Sequence, residues 1–359
     1  MLFKSGVFLL LLIGRGRIVM KWFYRLFAIA FVTGIPLFWA CSDADKSGQM
    51  NGIVPGKGAA VKGGVGEGGV TMKNKPDQVV RVAKGSGRWF PGDGVQLATM
   101  VGDFIKHAKV SEIKGRIVAA IAPHAGYVYS GRVAGSTFRA IQDNAIVVKR
   151  PETVVILGFH HRRGFRGVAL MDGDELVTPL GAAKIDMDTV RMLASSPGKK
   201  LFIDYSLHGE EHSAENEVPF VQVTLPGVKI VVGLFGDHDG ETLDAVVAAL
   251  AELAKKKRIL VIASTDMLHD ADYDLVSRTD KDTMKKLACM DIDGLVRTWN
   301  MEKQIFCGLM PVLAVMKFSQ LQGCGKATIL EYRNSGDDYP ESRGNWVVGY
   351  GSAAFVVQE

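Results

Sequence analysis

One short stretch constrains the fold of this chain more than any other. A nearly continuous apolar run, Arg116–Ala122, ends abruptly at Pro123 and His124, and a segment with helical character follows. Short apolar runs bounded by proline or glycine are typical of strands buried on both faces of a parallel sheet. In open α/β sheets ligands bind beyond the carboxyl ends of such strands, so His124 is expected where binding or chemistry takes place.

The same arrangement recurs twice, with an apolar run followed by side chains able to bind a metal or a proton. These are the run 153–157 before His160 and His161, and the run 258–263 before Asp266 and His269. Because the carboxyl ends of parallel strands meet at one edge of a sheet, the three loops are expected to lie close together.

Helical spacing of apolar residues separates these runs, and further strands follow. The predicted helices cover 96–107, 130–142, 186–194, 241–256, 276–298 with a break, and 311–321, and the further strands cover 228–235, 328–332 and 346–357. Strands that alternate with helices predict an α/β fold with helices on both faces of the sheet. We find no internal repeat and no second linker, so residues 78–359 are predicted to form one domain.

The positive charge of the chain is confined to its beginning. Of 359 residues, 43 are Lys or Arg and 38 are Asp or Glu, which gives a formal charge of +5. The first 40 residues contain five basic side chains and no acidic one, so the remainder is neutral. Nucleic-acid binding requires a basic face on the folded domain, and no nucleic-acid partner is expected.

Residues 1–41 are predicted to be a signal segment of the bacterial lipoprotein type. A basic region around Lys21 precedes a mostly apolar one, which closes with Ala40 and Cys41. Cys41 would be the lipidated first residue, and Ser42 favours sorting to the outer membrane. The alternatives are an uncleaved anchor helix and translation from Met20. Residues 42–77, rich in Gly, Lys and Ser, would be a flexible tether. We therefore expect a cell-envelope protein, outside the cytoplasm on the periplasmic face.

The side chains after the three strands suit a transition metal. A polar loop adds His212, and a Phe-Cys-Gly turn before a helix adds Cys307. Neutral imidazoles, a thiolate and carboxylates are the ligands that first-row transition metals bind. Structural zinc sites usually show closely paired ligands such as Cys-x-x-Cys, which are absent from this sequence. Each side chain also has a simpler interpretation, since buried cysteines are commonly apolar filling and His269 could merely pair with Asp266.

Several of these motifs together resemble the Memo family, known in bacteria as the B protein of the AmmeMemoRadiSam system. The matching residues run in order from about residue 80 to 357: Trp89-Phe90-Pro91, Ala122-Pro123-His124-Ala125-Gly126-Tyr127-Val128-Tyr129-Ser130-Gly131, Ile156-Leu157-Gly158, Glu211-His212-Ser213 with Glu215, Pro219-Phe220, Ser264-Thr265-Asp266 with His269, Cys307-Gly308 with Pro311, and Asn345-Trp346. The resemblance implies a three-layer αβα fold with a mostly parallel central sheet, similar to class III extradiol (LigB-type) non-haem iron dioxygenases.

The resemblance also implies a metal site and its surroundings. The metal ligands would be His124, His161 and Cys307, with His160 as the alternative to His161, and the metal would be iron or copper rather than zinc. The residues that line the same cleft, and the candidates for catalysis, are Asp266, His269 and His212. The expected partners are an unknown small molecule or peptide, and the AMMECR1-like and radical SAM proteins of the bacterial system.

Three functions are compatible with these residues. The first is a mononuclear iron or copper enzyme of redox type, favoured by the thiolate ligand. The second is a scaffold that binds peptides in the same cleft without chemistry, with Arg162 and Arg163 available for phosphorylated ligands. The third is a zinc metallohydrolase, in which the metal activates water. Similarity of fold alone does not establish dioxygenase activity.

Overall fold

The structure is a computed structural model, and it describes residues 78–358. The predicted signal segment 1–41 and tether 42–77 lie outside the described residues. The strands are β1 (Val80–Val82), β2 (Arg116–Ala122), β3 (Thr153–Phe159), β4 (Val168–Leu170), β5 (Glu175–Thr178), β6 (Gly181–Lys184), β7 (Leu201–Ile203), β8 (Lys229–Phe235), β9 (Ile259–Ser264), β10 (His269–Asp270), β11 (Ala327–Asn334) and β12 (Val347–Val357). The α-helices are α1 (Gly94–His107), α2 (Tyr127–Val147), α3 (Met187–Ala194), α4 (Val218–Thr224), α5 (Gly240–Ala254), α6 (Tyr273–Ala288), α7 (Ile292–Thr298), α8 (Leu309–Leu321) and α9 (Ser335–Asp338).

A large mixed sheet organises the domain. Its strand order is β10-β12-β2-β9-β3-β8-β4-β7, with β11 paired to β12. The central strands β2, β9, β3 and β8 are mutually parallel, whereas β12 and β4 run antiparallel to their central neighbours. Strands β1, β5 and β6 form a small separate sheet. Helices flank the large sheet, with α1, α2 and α4 in one group and α3, α5 and α8 in another. The predicted α/β fold with a mostly parallel central sheet is confirmed.

The central strands form where the sequence is apolar without alternation. All seven residues of β3 except the last are buried, and all six residues of β9 are buried. A strand covered by helices on both faces buries every side chain, so a continuous apolar run is the expected pattern. The predicted strands at 116–122, 153–157, 228–235 and 258–263 are confirmed.

The break predicted within the helix 276–298 is present beside Met290, whose φ of 57° cannot continue a helix, and it separates α6 from α7. The structure differs from the sequence-based prediction in two places. Helix α2 begins at Tyr127 rather than at residue 130, directly after Gly126, so the helix follows His124 almost at once. Strands β4 to β7 were not predicted, because three or four residues are too few to show a period.

The parallel strands deliver the candidate residues to one edge. Strand β2 leads into His124, β3 into His161, and β9 into Asp266, while Cys307 lies just before α8. The register pairs Ala122 at the end of β2 with the last residue of β9, so the two loops start level with each other. Within residues 78–358, no helix is long and apolar enough to cross a membrane.

Candidate metal centre

His124 lies at the carboxyl end of β2 and is almost fully buried, with 2% of its surface exposed. Its ring has a different partner at each nitrogen. Nδ1 lies 3.2 Å from the hydroxyl oxygen of Ser264, and Nε2 lies 3.3 Å from the sulfur of Cys307. The backbone N–H of His124 donates to Oδ1 of Asp266 at 2.9 Å. These contacts fix the ring with Nε2 toward the cysteine.

His161 follows β3 and is held by a buried carboxylate. Its Nδ1 lies 2.9 Å from Oε1 of Glu211, and its backbone N–H donates to Oε2 of the same residue at 2.8 Å. A ring nitrogen of His161 lies within 4.8 Å of the sulfur of Cys307. Its ring lies 5.2 Å from that of His124 and perpendicular to it. A carboxylate behind a histidine orients that histidine and raises its basicity, as in many metal sites.

Cys307 is placed opposite the two histidines by the loop after β9. Its backbone N–H donates to the carbonyl oxygen of Asp266 at 3.2 Å, and the Asp266 N–H donates to the cysteine sulfur at 3.3 Å. Cys307 is 5% exposed, and like Cys289 and Cys324 it is a free thiol. A disulfide, which the cysteine count leaves open, is therefore absent among these three residues.

Each of His124, His161 and Cys307 offers one donor atom, and the three atoms lie within 4.8 Å of one another. A tetrahedral ion with bonds of about 2.1 Å to nitrogen and about 2.3 Å to sulfur places neighbouring donors about 3.4–3.6 Å apart. The 3.3 Å between His124 Nε2 and Cys307 Sγ is slightly shorter than that spacing, so a small outward shift of either side chain would admit the ion. Two imidazoles and a thiolate are also a donor set that iron, copper and zinc accept. The residues present therefore fit a bound transition metal.

The alternative histidine points elsewhere. Nδ1 of His160 accepts hydrogen bonds from the backbone N–H groups of Arg162 at 3.2 Å and Arg163 at 3.0 Å. Its ring meets the edge of Phe165 rather than the cysteine. Of the two adjacent histidines, the structure thus brings only His161 to the donor group.

Two of the three predicted catalytic side chains, those of His212 and Asp266, directly border the donor atoms. The His212 ring stacks on Trp89 at 3.8 Å and lies 5.4 Å from His124 and 5.3 Å from His161. Oδ2 of Asp266 lies 3.8 Å from His124 Nε2.

His269 is not one of the described residues whose donor atoms meet within 4.8 Å. Its Nδ1 lies 2.9 Å from the carbonyl oxygen of Met267, and its ring lies 5.8 Å from that of Trp346. Its charge acts on Asp266, so it lies near that residue without being placed as a ligand.

The electrostatics of the donor group favour a thiolate between imidazolium rings when no metal is bound. Burial alone would lower the pKa of His124, but the charges of Cys307 and Asp266 outweigh it and raise the pKa to about 9. Burial raises the pKa of the Cys307 thiol, yet the two histidines outweigh it and hold the pKa well below its usual value. The pKa of His161 is raised well above its usual value, because Glu211 and Cys307 outweigh burial.

The pKa values of the two bordering groups are shifted so as to favour their neutral forms. Burial raises the pKa of Asp266, against the attraction of His124. Burial, together with the charge of His124, holds the pKa of His212 well below its usual value. A neutral imidazole and a carboxyl group that gains a proton more easily than usual therefore border the donor atoms. His161 and His212 keep 15% and 16% of their side chains exposed, so the site opens on their side.

Sequence reasoning missed the residues behind the ligands. Glu211 accepts hydrogen bonds from His161 and also from the backbone N–H groups of His212 and Ser213, at 2.9 and 2.8 Å. Ser264 and Glu217 stand behind His124. The only signal in the sequence was the density of acidic residues beside His212, which does not say which carboxylate faces which ring.

Comparisons with known proteins identify the family of this chain. Residues 81–354 match the family described as Memo-like protein. A MEMO1 family protein of Nitrosopumilus maritimus is 30% identical over 277 residues, which cover 76% of this chain and 98% of that protein. Similar proteins of the same description occur in Methanopyrus kandleri, at 29% identity over 75% of this chain and 96% of that protein, and in Desulfurococcus amylolyticus, at 33% identity over 66% and 82%.

Among solved structures, an uncharacterized protein from Escherichia coli K12 aligns with a TM-score of 0.41 and 14% identity, over 66% of this chain and 99% of that one. That likeness is too weak to support an inference. The family match covers most of the described domain, including every residue of the donor group. The chain belongs to the Memo-like protein family.

Proposed function

We propose that this chain binds one iron or copper ion through His124, His161 and Cys307 and acts as a redox protein. The observation that supports this most strongly is the approach of three donor atoms, from three separate loops, to within 4.8 Å of one another. A thiolate ligand favours a soft or redox-active metal over a hard cation. Such a metal, held by these three residues, would supply electron exchange, and the exposed side of His161 and His212 would admit a ligand.

The protein's own side chains would tune that chemistry. The Asp266 N–H donates to the sulfur of Cys307, and hydrogen bonds to a ligating sulfur shift the potential of the metal. Glu211 fixes the ring of His161. The Asp266 carboxyl group, whose pKa burial raises, lies with Oδ2 3.8 Å from His124 Nε2, where it could exchange a proton with a bound ligand. The neutral ring of His212 lies beside the rings of His124 and His161.

A zinc hydrolase is the second candidate. The same observation favours it, because catalytic zinc sites commonly use three nitrogen, sulfur or oxygen ligands and leave one position open. In that case Asp266 would accept the proton of the activated water. The identity of the metal separates the two functions.

The test is the metal content and redox behaviour of the full chain purified without chelator. Stoichiometric iron or copper that cycles between two oxidation states, and that is lost in His124→Ala and Cys307→Ala, supports the proposal. Cys324→Ala is the matched control, since Cys324 is also buried but lies outside the donor group. Zinc alone would favour the hydrolase. No metal after reconstitution with Fe(II) or Cu(I) would contradict both and leave a peptide-binding scaffold.

We further propose that residues 1–41 anchor the protein to the outer membrane through lipidated Cys41. The supporting feature is the basic and apolar segment that ends in Ala40 and Cys41. Cys41→Ser should release the protein from the membrane fraction and abolish incorporation of labelled fatty acid. Retention in that fraction would favour an uncleaved anchor. Association with AMMECR1-like or radical SAM proteins stays a prediction.

A further inference from the structure

The hydroxyl group of Ser264 stands behind His124 and has three polar neighbours. Its oxygen lies 2.5 Å from the carbonyl oxygen of Ser213, 2.7 Å from Oε1 of Glu217, and 3.2 Å from Nδ1 of His124. Ser264 is fully buried, so these neighbours must satisfy its hydrogen bonds.

The hydrogens in this group can be assigned by counting donors and acceptors. A serine hydroxyl donates once and accepts twice. The Ser213 carbonyl oxygen only accepts, so at 2.5 Å it must take the hydroxyl hydrogen. The other two neighbours must then donate to the Ser264 oxygen. Glu217 donates as a carboxylic acid through Oε1, and His124 donates from Nδ1.

We propose that Glu217, acting through Ser264, is a positioning residue that keeps hydrogen on Nδ1 of His124 and so reserves Nε2 for the metal. An ionised Glu217 would instead compete with Ser213 for the single hydroxyl hydrogen. The serine oxygen would then lose one donor, and Nδ1 of His124 would lose the fixed partner that sets its tautomer. The tautomer of a ligating histidine is set by what its other nitrogen meets.

The surroundings of Glu217 agree with a neutral side chain. Glu217 is 1% exposed, and its Oε2 has no hydrogen-bond partner among residues 78–358. A buried carboxylate with one bare oxygen is costly, whereas a carboxylic acid donating through its other oxygen is not. Burial raises the pKa of Glu217 to about 8, against the hydrogen bond with Ser264.

This inference rests on the proposed function, since it concerns a ligand of the same metal. The test uses the full chain loaded with Zn²⁺, a diamagnetic probe, and labelled with ¹⁵N at its eight histidines. One readout is the affinity for Zn²⁺ in competition with a chromophoric chelator. The other is the pair of His124 ring nitrogen signals, which show which nitrogen carries hydrogen and which binds metal.

Glu217→Leu should weaken Zn²⁺ binding roughly 10- to 100-fold, as loss of a partner behind a metal ligand does, and should remove the single Nδ1–H pattern of His124. Glu217→Gln should keep both, because the amide nitrogen still donates to Ser264. Glu215→Gln is the control, since Glu215 is equally buried but accepts from the backbone of Gly85 instead.

Wild-type affinity and unchanged His124 signals in Glu217→Leu would overturn the inference. So would loss of both in Glu217→Gln, which would show that something other than donation matters. If Glu217→Leu fails to fold, Ser264→Ala removes the hydroxyl and should give the same loss. A wild-type chain that binds no Zn²⁺ would instead count against the proposed metal site.

Discussion

The charge pair between His124 and Cys307 gives the sharpest prediction for the metal-free protein. The interaction raises the pKa of His124 from 6.5 to about 9, and about 2.5 pKa units correspond to about 3 kcal/mol. Because burial acts in the opposite direction, the attraction of His124 to Cys307 and Asp266 exceeds that value. Coupling between titrating groups is reciprocal, so removal of the imidazole must raise the pKa of the Cys307 thiol.

The assay is a pH titration of thiolate absorbance in the ultraviolet, with Cys307→Ser as the blank. In the wild-type chain the thiolate should persist well below pH 9, because the two histidines hold the pKa of Cys307 well below its usual value. In His124→Gln its midpoint should rise by one to three units, roughly the coupling that is lost. His208→Gln is the control, because His208 is buried away from the donor group.

The sign of the pH dependence of stability follows from the same pair. The folded pKa of His124 is raised, so its contribution to stability is complete below pH 6.5 and is lost as the pH rises through about 9. In the absorbance titration, a thiolate midpoint near pH 9 in the wild-type chain, or equal thiolate midpoints in wild type and His124→Gln, would refute the charge pair.

Three further variants test other parts of the structure. Glu211→Gln should weaken metal binding roughly 10- to 100-fold in chelator competition, because His161 loses its carboxylate partner; unchanged affinity would contradict this role. Gly349→Ala should lower the free energy of unfolding in urea by about 1–3 kcal/mol, since a Cβ there would lie 1.7 Å from Oδ2 of buried Asp280; wild-type stability would show that the carboxyl group moves freely. Burial raises the pKa of Asp280 from 3.8 to about 7. The folded state therefore holds this proton more tightly, and the free energy of unfolding should fall by up to about 4 kcal/mol as the pH rises from 3.8 to about 7. Asp280→Asn should flatten that slope, and a slope unchanged from wild type would assign it to other groups.

The central sheet was predictable because burial on both faces leaves a plain signal. Runs such as Arg116–Ala122 contain almost nothing polar, which is the pattern of a strand covered on both faces. The placement of His124 followed from the same signal, since ligands gather beyond the carboxyl ends of parallel strands.

Other features depend on geometry that no local pattern encodes. The choice between His160 and His161 is made by the backbone N–H groups of Arg162 and Arg163, which occupy Nδ1 of the first histidine. The hydrogen bond between Glu211 and His161 joins residues 50 positions apart.

The place of His269 depends on geometry of the same kind. Strand β10 pairs His269 with Val348 at the edge of the sheet, while the charge of His269 still acts on Asp266, so its part in the shared cleft stays a prediction.

X-ray absorption at the edge of the metal found in the purified full chain tests the central claim most directly. The account predicts one sulfur and at least two nitrogen neighbours, and loss of the sulfur in Cys307→Ser but not in Cys324→Ser. A metal surrounded only by nitrogen and oxygen in the wild-type chain, or a sulfur that persists in Cys307→Ser, would contradict it.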